Sequence, residues 1–159
     1  AFSPNGDLAF DSTTFSFLLA APALVRLEIR SGDAVVAAPF SALLPAGANT
    51  IPWDGSGFAG RLPDGTYQAV LTVTDALGEV PVSTPVVVDT TAPQLQLLDR
   101  ATLLFSLDEP ATVTVVVNGT TITRQQAAGT FGVAFQGAVT SVTAQAVDAA
   151  GNASATVSG

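Results

Sequence analysis

Apolar and polar residues alternate with period two over most of this chain. Leu24-Val25-Arg26-Leu27-Glu28-Ile29-Arg30 sets Val25, Leu27 and Ile29 on one face and Arg26, Glu28 and Arg30 on the other. That pattern predicts a strand with one face in a core and one in water. Tyr67 to Thr74, Val113 to Val117 and Val142 to Val147 alternate likewise. Val and Thr dominate these runs, and their stiff χ1 angles suit a pleated surface. Turn pairs stand between them: Ser31-Gly32-Asp33, Asp54-Gly55, Asp64-Gly65 and Asn118-Gly119. No window carries a convincing helical stripe. The nearest candidate, Phe40 to Leu44, is too short to stand alone as a helix. Short strands punctuated this way predict an all-β fold of sandwich type.

The pattern also repeats. Ala21-Pro22-Ala23 is echoed by Glu109-Pro110-Ala111, 88 residues on. Phe17, Val25, Leu27 and Ile29 meet Phe105, Val113, Val115 and Val117 at the same spacing. Asp75-Ala76-Leu77-Gly78 corresponds to Asp148-Ala149-Ala150-Gly151 at a spacing of 73, so the second copy is shorter. The missing piece corresponds to the region from Trp53 to Gly65. The expectation is two tandem β-sandwiches, residues 1–92 and 93–159. Their joint falls at Val88-Asp89-Thr90-Thr91-Ala92-Pro93, where Pro93 biases Ala92 to extended geometry. The linker is short and poor in Gly, which predicts restricted interdomain motion.

Composition narrows the chemistry. The chain has 159 residues with no Cys, Met or His. Its five basic residues are all Arg, against thirteen acidic ones, for a net charge of −8. No disulfide framework, thiol nucleophile, imidazole base or lysine Schiff base can be built from this set. The acidic balance argues against nucleic acid, whose phosphates need basic patches. No run of eighteen apolar residues exists, so no membrane-spanning helix is expected. The start, Ala1-Phe2-Ser3-Pro4, lacks the features of a signal peptide, and the chain reads as a piece of a larger protein.

Three segments together carry a resemblance. They are Phe2-Ser3-Pro4-Asn5-Gly6-Asp7 followed by Asp11; Trp53-Asp54-Gly55 leading to Leu62-Pro63-Asp64-Gly65-Thr66-Tyr67; and Thr74-Asp75-Ala76-Leu77-Gly78 running into Asp89-Thr90-Thr91-Ala92-Pro93. In this order they resemble the bacterial Ig-like domain of flagellar hook-capping proteins, also found at the ends of secreted proteases and other surface proteins. The match covers residues 2–93. Residues 94–159 resemble a generic bacterial Ig-like repeat, so the resemblance implies an all-β fold of two tandem immunoglobulin-like β-sandwiches. Within this frame Trp53 is expected to plug the core. Tyr67 is expected to hydrogen-bond back across the sheet, as in a tyrosine corner.

Asn5, Asp7 and Asp11 form the candidate metal set. Calcium takes six to eight oxygens, and these side chains supply such donors in a tight Gly-containing stretch. The resemblance implies a calcium loop here, with Leu8 standing where the family usually has a second Gly. Asp89 is a lesser contributor. The competing reading is a turn in which Asn5 and Asp7 accept from backbone N–H groups, the ordinary role of such residues.

Catalysis is not expected. Carboxylate-only chemistry needs a paired acid and base. The candidates Asp54, Asp64 and Asp108-Glu109 each sit in a turn context that explains them. The Asn118-Gly119-Thr120 and Asn152-Ala153-Ser154 sequons carry little weight in a bacterial chain. The leading expectation is a non-catalytic spacer or assembly module of a secreted or cell-surface bacterial protein. Its partners would be other domains of the parent protein and neighbouring surface proteins. The alternatives are an adhesive or carbohydrate-binding module, or a subunit of an extracellular filament built on an open sheet edge such as Val113 to Val117.

Overall fold

A computed structural model describes residues 1–76 and 78–159; Leu77, part of the repeated Asp-Ala-Leu-Gly motif, lies outside them. The described residues form strands and turns and no helix. The chain divides into two compact units, Ala1–Thr90 and Thr91–Gly159.

In the first unit the strands are β1 (Thr13–Leu19), β2 (Ala23–Ser31), β3 (Ala34–Leu44), β4 (Gly47–Trp53), β5 (Ser56–Gly57), β6 (Gly60–Arg61), β7 (Gly65–Asp75) and β8 (Gly78–Val88). An antiparallel sheet has the order β3-β2-β7-β8, and β1 pairs with β4 in a separate two-stranded sheet. The alternation of β2 has the predicted effect. Val25, Leu27 and Ile29 are buried, while Glu28 on the outer face bridges Arg26 at 3.2 Å and Arg30 at 2.6 Å. Ile51 and Trp53 of β4 and Tyr67 and Ala69 of β7 join them in one core. Phe40 to Leu44 belongs to β3 and not to a helix. Its register shifts opposite β2 between Leu27 and Ile29, next to Pro39, so the bulge breaks the period that a strand reading needs.

Prolines also mark β8. Phe2 N–H donates to the Val87 carbonyl and Asp89 N–H to the Phe2 carbonyl, so odd-numbered backbone groups here face away from β7. Pro81 and Pro85 share that parity and remove two donors from the free edge. On the opposite side of the sheet, Phe58 N–H caps the Val36 carbonyl of β3 at 2.9 Å. Both edges of the four-stranded sheet are therefore blunted.

The second unit comprises β9 (Leu95–Asp99), β10 (Leu104–Leu107), β11 (Ala111–Val117), β12 (Thr120–Gln126), β13 (Gly129–Gly132), β14 (Val142–Val147) and β15 (Val157–Ser158). Its sheets have the orders β13-β10-β9 and β12-β11-β14-β15. Leu95, Phe105, Leu107, Val113, Val115, Val117 and Phe131 fill a core of their own. Phe105 stacks on Phe131 at 5.5 Å, and Arg124 lies 4.9 Å over the Phe131 ring. The β11–β12 hairpin turns on Asn118 and Gly119, both at positive φ, the geometry that a two-residue type I′ loop requires. Val113 to Val117 is not an open edge: β11 lies between β12 and β14 and pairs with both. Val alternation marks such a strand equally well in the middle of a sheet and at its rim.

Candidate functional site

The N-terminal segment is anchored before its acidic residues begin. Phe2 is buried and makes a parallel bridge to Val88. Ser3 is fully buried, and its N–H donates to the Phe10 carbonyl at 2.9 Å, closing residues 4–9 into a loop. Inside that loop Gly6 takes φ +88°, Leu8 φ +72° and Phe10 φ +56°. A positive φ is natural for Gly and strained for Leu and Phe. Leu8 therefore holds the conformation a second Gly would favour, with its side chain 95% exposed.

The structure brings Asn5, Asp7 and Asp11 together and turns their oxygens onto the loop itself. Asn5 Oδ1 accepts from Asp7 N–H at 2.9 Å, and Asn5 Nδ2 donates to Asp7 Oδ2 at 3.1 Å. Asp7 Oδ1 accepts from Ala9 N–H at 2.8 Å. Asp11 spans the loop, with Oδ1 on Gly6 N–H at 2.6 Å and Oδ2 on Leu8 N–H at 2.8 Å. All five side-chain oxygens thus accept a hydrogen bond within the loop. Each keeps a second lone pair that a hard cation could share. Asp89, the lesser candidate, stands beside Phe2 through its own N–H.

The second singled-out segment packs directly beneath. The Trp53 ring meets Phe2 at a centroid distance of 5.4 Å and a tilt of 59°. Its Nε1 donates to the Ser56 carbonyl at 2.9 Å, so the polar end of the indole is satisfied where its body is buried. Asp54 Oδ1 accepts from Ser56 N–H at 3.0 Å. That bond, with one to the Ser56 hydroxyl, holds the Asp54 carboxyl below its ordinary 3.8, and Arg61 adds to the effect. Asp64 Oδ1 takes both the Thr90 N–H and hydroxyl, at 2.9 and 2.8 Å. Tyr67 is buried, and its hydroxyl donates to the Pro63 carbonyl at 2.7 Å. The tyrosine bond is therefore local, four residues back, and does not cross the sheet.

Elsewhere the acidic residues also cap turns. Asp108 Oδ1 accepts from Gln94 N–H at 2.7 Å. The Thr102 hydroxyl and then Ala101 N–H hold the Asp99 carboxyl below its usual value. A general acid needs its pKa raised, and the shifts at Asp54 and Asp99 run the other way. The Asn118 amide, one of the two sequon positions, donates to the Ala138 carbonyl and accepts from Thr140 and Ser141.

Sequence reasoning missed a groove in the first unit. It has a volume of about 540 Å³ and runs between β1 and β8, with Phe15, Phe17, Leu27, Leu71, Val82 and Thr84 among its lining residues. No local signal marks it, because it arises from how many strands each layer has.

No protein-family model matches the chain, and no curated protein is similar to it in sequence. Among solved structures it is similar to the fibronectin(III)-like modules of Clostridium thermocellum CbhA, with 17% identity and a TM-score of 0.49 over 99% of this chain and 85% of that one. It is also similar to the Pseudomonas aeruginosa CupB2 chaperone, with 13% identity and a TM-score of 0.42 over 99% and 94% of the two chains. The YadV chaperone gives 12% identity and a TM-score of 0.40 over the same shares.

Proposed function

We propose that the chain is a pair of Ig-like β-sandwiches in tandem, acting as a non-catalytic spacer or assembly module of a secreted or cell-surface bacterial protein. One observation carries the reading: β3-β2-β7-β8 and β12-β11-β14-β15 follow the same order around equivalent central strands. The equivalence matches the sequence repeat, with Val25, Leu27 and Ile29 of β2 answering Val113, Val115 and Val117 of β11, all buried. The β5–β6 hairpin stands in the segment that the second copy lacks. A duplicated scaffold whose carboxylates at Asp54, Asp64, Asp99 and Asp108 are engaged in turns and backbone caps suits span and rigidity better than turnover. The adhesive alternative loses its best platforms, because Trp53 and Tyr67 are both buried. The metal set stays a proposal beside this one, with Asn5, Asp7 and Asp11 as ligands of a calcium ion.

The test is replacement. In the parent protein, residues 1–159 are exchanged for an unrelated pair of sandwiches of similar length. A spacer predicts that secretion, surface display and parental activity survive. Loss of parental activity with display intact would assign a specific binding role to this segment.

A further inference from the structure

Besides the β5–β6 hairpin, the two units differ in what lies beside β1 and its repeat equivalent β10. In the second, β10 pairs on one side with β13 and on the other with β9. There Phe105 stands opposite Leu97 and Leu107 opposite Leu95, and Leu95 is buried. Leu97 reaches across to the other layer: a Cβ on Gly159, the residue after β15, would lie 2.7 Å from its Cδ2. In the first unit β1, which carries the repeat equivalent of Phe105 at Phe17, pairs with β4 alone among the described strands. The residues before it bridge to β8 instead of lying beside β1.

A second observation comes from β8. Residues 80, 82, 84, 86 and 88 stand on the face that holds the core, since Val80, Val82, Thr84 and Val86 lie opposite Val73, Leu71, Ala69 and Tyr67. Val86 and Val88 are buried, as that face requires. Val80 and Val82 are 59% and 58% exposed, although they point the same way. The two-stranded layer is too narrow to cover a four-stranded one, and the groove beside β1 is the uncovered part.

We propose that this groove accepts an added β-strand: an extended peptide segment of a partner, with apolar side chains at alternating positions, pairing with the open edge of β1 and laying those side chains over Val82 and Leu71. The chemistry of the occupant is read from β9, which fills the corresponding place in the second unit with Leu95 and Leu97 at a spacing of two. Main-chain hydrogen bonds to β1 would supply affinity, and alternate side chains in the groove would supply selectivity. Of the two strands flanking the groove, β1 is the better receiving edge, because Pro81 and Pro85 remove two donors from β8 and Phe2 already pairs with its end. The inference concerns the first unit alone and does not rest on the spacer reading.

The test titrates the full chain into a fluorescein-labelled peptide of the Gln94–Arg100 sequence and follows polarisation. Saturable binding is expected, with none for the same peptide carrying Leu95→Asp and Leu97→Asp. Val82→Glu should weaken binding by about tenfold or more, since it sets an unpaired charge in the groove. Thr84→Glu gives the same readout should Val82→Glu lower the melting temperature. Ser83→Glu, on the other face of β8, should leave binding unchanged. Amide exchange over Thr13–Leu19 should slow when the peptide is present. Absence of saturable binding would overturn the proposal, as would protection confined to β8. A concentration-dependent dimer lost in Val82→Glu would give the groove to a second copy and overturn the peptide partner.

Discussion

Pro4 rests directly on Gly55: a Cβ added to Gly55 would lie 2.8 Å from Pro4 Cγ and 3.1 Å from its Cβ. Through this contact the N-terminal loop and the Trp53 corner, some fifty residues apart in sequence, become one packed element. Gly55 also holds φ +80°, a conformation that other L-residues adopt only with strain. Gly55→Ala should therefore cost more than about 1 kcal/mol, read as a lower urea midpoint with an unchanged slope. A neutral result would mean that the loop can lift off the corner.

Trp53 closes the same corner from below, 3% exposed. Trp53→Ala should destabilise by roughly 3–5 kcal/mol, combining lost burial with a cavity under Phe2. Trp53→Phe keeps a ring against Phe2 and loses the Nε1 bond to Ser56, so about 1–2 kcal/mol is expected. Equal losses in the two variants would assign the effect to the hydrogen bond and not to packing.

Leu8 offers the opposite experiment. Its side chain is almost wholly exposed and its backbone is strained at φ +72°. Leu8→Gly should relieve about 1 kcal/mol of left-handed strain, partly offset by the greater freedom of Gly when unfolded. A higher melting temperature is the expected outcome; a lower one would show that the loop gains from Leu8 in some other way.

Asp54 sets an acid dependence. Its folded pKa lies below the ordinary 3.8, through the Ser56 N–H first and the Ser56 hydroxyl second. A lowered folded pKa contributes stability that is present above the unfolded value and lost as pH falls through the folded one. The melting temperature should therefore fall below pH 3.8, and less steeply in Asp54→Asn. Parallel acid curves for parent and variant would remove Asp54 from the account.

Calcium provides a direct reading of the N-terminal loop. Asp7 and Asp11 already receive backbone or amide donors on every carboxylate oxygen. If the loop is a self-closed turn, melting curves in calcium and in chelator coincide. A rise with calcium that disappears in Asp11→Asn would show these oxygens turned onto the ion.

Sequence pattern captured what is local. The faces of β2 and β11 follow from period two, because each side chain reports its own burial along a regular strand. The Asx turns at Asp54 and Asp7 follow from Asp-Gly and Asn-Gly-Asp spacing. The course of β3 was obscured, since a bulge beside Pro39 breaks its alternation and Phe40 to Leu44 mimics a helical turn. The open flank of β1 was invisible for a different reason. It depends on Phe2 choosing β8 over β1, a choice between partners distant along the chain that no short window encodes. The positive φ at Leu8 was foreshadowed only by its place in the Ser-Pro-Asn-Gly-Asp run.

The prolines of β8 have a consequence for growth. An immunoglobulin-like layer with two free rims could stack neighbour upon neighbour without end, as fibrils do. In the four-stranded sheet neither rim is left free, since Pro81 and Pro85 remove donors along β8 and Phe58 N–H covers the Val36 carbonyl of β3. Strand-by-strand growth of that sheet is therefore disfavoured at both of its ends.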